Sequence, residues 1–362
     1  MTLHGLDVSY FTGKMEAFLR YKEVPYRRVE LTTRGLTALG RKTGLAQMPA
    51  IELADGRWMS DSTPMIALID THVPGGKVLP ACPVQLFFSR LLEDYADEWL
   101  WRPALYYRWQ FEPDARLLGH RIAAEMMHDI PLPLAIRRKL IRRRQYKRYV
   151  SGDGVTAANR AHVESIYTRN LAFLQTMLAQ RPFLLGARPT LADFGFFGPM
   201  FRHFSLDPTP SRIMRDTAPA VYEWTGRMWN ARASQLAGAL HPEGGIPDAW
   251  EPVLRDIAKT YLPYLNANAA CFASGARNFD LSIERNAYYL PVHRYRVWCL
   301  QRLQGLFAAL PPRPKLQVEV TLRNLGLYDL LFAQPDADAG FDPLGKAPYF
   351  DPAAIWLKPQ RG

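Results

Sequence analysis

Two short stretches carry residues whose types and spacing could do chemistry. The first is Gln47-Met48-Pro49, which heads the apolar run at 49–53. The second is Asp61-Ser62, which heads an apolar helical stretch. A proline at the start of a strand with an apolar residue before it is a candidate cis peptide. A cis bond there would turn the Met48 backbone outward, leaving its N–H and C=O open to an extended, peptide-like ligand. Ser62 stands at a helix start, where unpaired amides and the positive end of the dipole attract a carboxylate. Its hydroxyl adds a donor, and Asp61 can accept from an ammonium. One end of such a site takes an amino-acid head group and its middle takes a peptide backbone. A γ-glutamyl tripeptide supplies both. The competing reading of Pro49 is a purely structural turn.

The elements that must position these residues follow from periodicity. Residues 1–8 read as a strand, 13–24 as a helix ended by Pro25, and 26–31 as an alternating strand. Residues 35–44 form a short helix or turn. Residues 49–53 and 57–60 flank Ala54-Asp55-Gly56 as a hairpin, and a helix opens at Ser62. The order βαβ, short helix, ββα makes a small mixed sheet within the first 76 residues. Residues 74–83 read as a linker, rich in proline and glycine, and 84–240 as helical. The extension 241–362 mixes helices with one strand-like piece, "NFDLSIE". Residues 287–307 show the apolar spacing of a helix, fit to complete the core, cover the site or mediate dimerisation.

Composition excludes several classes. No apolar run reaches the length of a membrane span, and the N-terminus lacks the basic-then-apolar pattern of a secretory signal. Cys82, Cys271 and Cys299 are far apart, which fits a reducing cytoplasm. The eight histidines show no HExxH or His-Cys spacing, so no metal is expected. The net charge of +11 is concentrated in 136–148, whose eight basic residues account for all but +3 of it. A solvated helix face is the favoured explanation. Contact with nucleic acid or a membrane surface through 136–148 is the less favoured one, with Ile136, Leu140 and Ile141 supplying one apolar edge.

Three stretches in order, "KEVPYRRVEL", "QMPAIEL" with "SDS", and "RPFLLGARPTLADFGFFGPM", resemble the glutathione transferase superfamily over residues 1 to about 240. The resemblance implies an α/β plus all-α fold. A thioredoxin-like glutathione-binding domain (1–76) would precede an all-helical substrate domain (84–240), with 241–362 as an extra tail. It implies glutathione as cosubstrate, held by Gln47, Met48, Pro49, Asp61 and Ser62. Thr190 and Asp193 would cap a buried helix and serve the fold rather than catalysis.

In that family a hydroxyl or cysteine after the first strand stabilises the glutathione thiolate. Matching "KEVPY" places that function within Ser9 to Thr12, with Tyr10 first, then Ser9 and Thr12; Phe11 disfavours the cysteine-dependent branch. The alternative for Tyr10 is a half-buried loop aromatic. Trp99, Tyr106 and Tyr107 would line a pocket for a hydrophobic electrophile, unless they simply pack the core. Arg102 and Arg108 could meet an anionic substrate, although solvated surface is favoured. The function so implied is a glutathione-dependent transferase, or a related lyase or isomerase, acting as a cytoplasmic homodimer. The alternative is a non-catalytic scaffold or partner-binding protein of the same fold.

Overall fold

The computed structural model describes residues 1–242 and 244–340. The first unit runs β1 (Thr2–Gly5), α1 (Tyr10–Tyr21), β2 (Arg27–Glu30), α2 (Thr33–Thr43), β3 (Ala50–Glu52), β4 (Trp58–Ser60) and α3 (Ser62–His72). Its sheet has the order β2-β1-β3-β4. β1 pairs parallel with β2, while β3 is antiparallel to both β1 and β4. This is the thioredoxin-like arrangement expected from the βαβ–ββα order.

The helical unit follows: α4 (Pro83–Glu98), α5 (Trp101–Gln110), α6 (Glu112–Glu125), α7 (Leu134–Tyr149), α8 (Arg160–Leu178), α9 (Leu191–Pro199), α10 (Pro208–Thr217) and α11 (Pro219–Asn230). α9 is its centre, with every residue from Leu191 to Pro199 buried. Its start is fixed by a capping box in which Thr190 and Asp193 satisfy each other's backbone amides. Asp193 Oδ1 also accepts from the Leu184 amide at 2.8 Å. Gly195 lets α9 lie directly on α4, since a Cβ there would fall 2.7 Å from Glu93 Cα.

The extension adds α12 (Glu251–Lys259), α13 (Tyr261–Ala273), β5 (Asn278–Ile283), β6 (Asn286–Pro291), α14 (Arg294–Ala308), α15 (Pro312–Asn324) and α16 (Tyr328–Leu331). β5 is the strand expected from "NFDLSIE". The stretch 287–307, however, is not one helix. Its first residues form β6, paired antiparallel to β5 through a turn with Glu284 and Arg285 at positive φ. Tyr288 and Leu290 are buried while Ala287 and Tyr289 are exposed, a period of two that the apolar content had masked. The extension is not a separate body. Trp250, Tyr261, Tyr264 and Trp298 join the same continuous core as the sheet and α4.

Candidate functional site

The Met48-Pro49 peptide is cis. Pro49 is buried, Met48 half-buried and Gln47 exposed, and the strand ladder begins only at Ala50. Met48 therefore sits just outside the sheet edge. At the next connection Asp61, not Ser62, is the N-cap of α3. It adopts φ 73° and ψ 115°, and its carboxylate accepts from the Thr63 amide at 3.1 Å. Ser62 is the first helical residue and is buried. Because Ala50 pairs with Ser60, Met48 and the start of α3 lie at the same end of the β3–β4 hairpin.

The second oxygen of Asp61 is occupied from a distant part of the chain. The Tyr295 phenol of α14 donates to Asp61 Oδ2 at 2.9 Å. Burial pushes the Asp61 carboxyl up to about 6, against the Tyr295 and Thr63 hydrogen bonds, which lower it. Tyr295 packs on Trp298, and Arg302 one turn further stacks over that indole and reaches Glu93 at 3.6 Å. Of the roles left open for this stretch, α14 completes the core through Val297, Trp298, Leu300 and Leu303, while its Tyr295 lies over the start of α3.

Next to the start of α3 lies a buried charge cluster that joins the two units. Lys14 of α1 donates to Glu93 Oε1 at 2.9 Å and to Asp97 Oδ2 at 2.5 Å, both on α4. Burial pulls the Lys14 ammonium down, but Asp97 and Glu93 outweigh it and hold the pKa above its usual value. Thr63 Oγ1 and Arg90 also donate to Glu93. The start of α3 is thereby tied to α1 and α4.

The three hydroxyls near the first strand fall in different environments. Helix α1 begins at Tyr10 rather than at Gly13, because Ser9 caps it, accepting from the Thr12 amide at 3.4 Å. Tyr10 therefore belongs to the first helical turn. It shares the inward face with Lys14, Phe18 and Tyr21, and all four are buried. Its phenol donates to the Ala96 carbonyl of α4, and burial drives its pKa well above the usual value. That geometry does not fit the expected thiolate donor. Thr12 is buried against Gly5. Ser9, half-buried at the N-terminus of α1, is the one of the three with solvent access.

The expected electrophile pocket is core. Trp99, Tyr106 and Tyr107 are all buried, and the Tyr106 hydroxyl donates to Glu164. Arg102 and Arg108 are not on the surface either. Arg102 pairs with Asp153 at 3.0 Å. Arg108 forks onto Asp207 and donates to the Val8 and Arg202 carbonyls, stitching the β1–α1 connection to the helical unit. Spacing cannot separate a pocket-lining arginine from one whose acid lies about a hundred residues away. Among the described residues no His/Cys/Asp/Glu group could hold a metal, and no helix is long and apolar enough to cross a membrane.

The sequence reading missed Tyr295 as a site residue. The only signal was the spacing Tyr295-Trp298-Arg302, which places three long side chains on one helix face.

Comparison with known proteins bears on this architecture. Residues 3–77 match the description "Glutathione S-transferase, N-terminal domain" and residues 148–231 match "Glutathione S-transferase, C-terminal domain". No curated protein matches the sequence. Solved structures with a similar fold include a glutathione S-transferase from Rhodospirillum rubrum F11, with 17% identity, covering 62% of this chain and 86% of that one, at a TM-score of 0.41. Gtt2 from Saccharomyces cerevisiae shows 15% identity, 63% and 95% coverage and a TM-score of 0.39. A GST-like protein from Pseudomonas syringae shows 17% identity, 72% and 73% coverage and a TM-score of 0.42. With its mixed thioredoxin-like sheet followed by a helical domain, the chain belongs to the glutathione S-transferase superfamily.

Proposed function

We propose that the chain is a glutathione-dependent transferase, or a related lyase or isomerase, acting on a hydrophobic electrophile. It takes the γ-glutamyl end of glutathione at Asp61 and Ser62, and the peptide backbone at Gln47, Met48 and Pro49. The observation that carries this reading is the Asp61 carboxylate. One oxygen caps α3 and the other accepts from the Tyr295 hydroxyl, whose position a ligand ammonium could take over. Ser62, at the positive end of α3, would receive the ligand carboxylate. For the thiol, Ser9 replaces Tyr10 as the proposed donor. It combines solvent access with the N-terminus of α1, and both favour a thiolate.

A second reading, a non-catalytic scaffold of the same fold, draws on two observations. The Tyr10 phenol is spent on Ala96, and the Tyr295 phenol is spent on Asp61. Retention on immobilised glutathione, combined with turnover of a generic aryl halide, separates the two readings. Retention with turnover that falls in Ser9→Ala supports the transferase. Retention without turnover over a panel of electrophiles supports the scaffold. If neither the wild type nor Tyr295→Phe binds glutathione by calorimetry, the site is misplaced.

The same reading includes a cytoplasmic homodimer, since members of this family usually pair the N-terminal domain of one subunit with the helical domain of the other. A light-scattering mass near the 41.3 kDa of one chain at micromolar concentration would refute the dimer.

A further inference from the structure

Helix α7 carries sixteen residues, eight of them basic and none acidic. Its inner face is fastened to the body. Ile141 is buried, Arg137 donates to the Met127 carbonyl, Arg142 pairs with Glu112, and the Tyr146 hydroxyl donates to Gln110. The outward face serves none of these contacts. Ile136 and Leu140, four residues apart on that face, are 46% and 48% exposed. Lys139, Arg143, Arg144 and Lys147 surround them, all exposed and without a side-chain partner among the described residues. An open hollow of about 250 Å³ between Ala135, Arg138, Lys139 and Arg142 lies along the flank. Arg138 and Lys139 thus border a space open to a phosphate, while Arg142 beside them is held by Glu112.

We propose that this face of α7 docks on an anionic lipid surface. Two aliphatic side chains inside a ring of cations match an acyl–headgroup boundary, where the apolar groups enter and the bases meet phosphates. Each cation close to an anionic leaflet strengthens binding by about fivefold, and salt screens the attraction. Other occupants fit less well. A second copy meeting this face about a two-fold axis would oppose two all-basic helices. The segment 341–362 has two acidic residues against three basic ones, so it offers no neutralising counterpart. Nucleic acid would use the cations but gives no role to Ile136 and Leu140. The face also offers no exposed ring for base stacking, because Tyr146 and Tyr149 are half-buried.

The test is co-sedimentation of the full chain with vesicles of phosphatidylcholine alone or with one third phosphatidylglycerol. Binding is expected only to the anionic vesicles and is expected to weaken at high salt. Two surface variants divide the contributions: Arg143→Glu with Arg144→Glu, and Ile136→Ser with Leu140→Ser. Each should lower partition by about tenfold or more while circular dichroism stays unchanged. No sedimentation with anionic vesicles overturns the proposal. So does binding that loses nothing in the serine variant, and if the same protein then shifts duplex DNA, nucleic acid is the partner of this face.

Discussion

Replacing Tyr295 by phenylalanine separates two consequences of a single hydrogen bond. The phenol donates to Asp61 Oδ2 at 2.9 Å, and the ring packs on Trp298 with centroids 5.2 Å apart. Phenylalanine keeps the packing and removes the donor. A hydrogen bond to a charged acceptor contributes about 1.5–3 kcal/mol. In the ligand-free protein, urea unfolding should therefore show a loss of about 1.5–2 kcal/mol, the lower part of that range, because the released carboxylate gains some access to water. Glutathione binding should move the other way. If the ligand ammonium has to displace the phenol, removing that competitor tightens Kd by about tenfold to thirtyfold, the same energy expressed as a ratio. Isothermal calorimetry reads this directly. The pH dependence adds a signature. Only the ionised carboxylate accepts from an ammonium, and burial holds Asp61 up to about 6. Affinity should thus rise with pH through about 6, level off above 7, and fall by about tenfold per unit below. Asp61→Asn should flatten the profile. Lower stability with unchanged affinity in Tyr295→Phe would show that the phenol does not stand where the ligand binds. Weakened affinity would make Tyr295 itself a ligand contact, and either result refutes the displacement argument.

Ser9→Ala should raise the pKa of bound glutathione thiol by about one to two units, read from thiolate absorbance, whereas Tyr10→Phe should leave that titration unmoved and only lower stability. The opposite pattern would restore Tyr10 as the donor. Lys14→Met leaves Asp97 a buried acid without a cation partner, and Glu93 with only Arg90 and Arg302, and should destabilise the protein by about 3–5 kcal/mol. Adding Glu93→Gln and Asp97→Asn should recover much of that loss in thermal unfolding; a single variant as stable as the wild type would mean that the cluster does not join the units. Asp94 is held up to about 7, chiefly by burial. The native carboxyl keeps its proton over a range in which the unfolded chain has released it, so stability should fall as pH rises from about 4 to about 7. Asp94→Asn should reduce that slope in a series of melting curves, and an unchanged slope would show that Asp94 is not its source.

The sequence by itself determined the local features of this protein. Alternation and turn chemistry located β1 to β4. The apolar residue before Pro49 marked the cis peptide, and Thr190 with Asp193 marked the capping box of α9. These depend on neighbours within a few residues, so spacing records them. The juxtaposition of Met48 with Asp61 was legible for the same reason, because one hairpin lies between them. Tertiary structure decided the rest. Ser9 begins α1 one turn earlier than the apolar pattern indicated, and that single turn rotates Tyr10 from a loop into the interior. Arg102 and Arg108 read as surface until Asp153 and Asp207, remote in sequence, arrive to neutralise them. Tyr288 and Leu290 lie in a strand because β5 is there to pair with it. The contact between Tyr295 and Asp61 spans 234 residues. No periodicity carries information over such a distance; it exists only because α13, β5 and β6 return the chain to the start of α3.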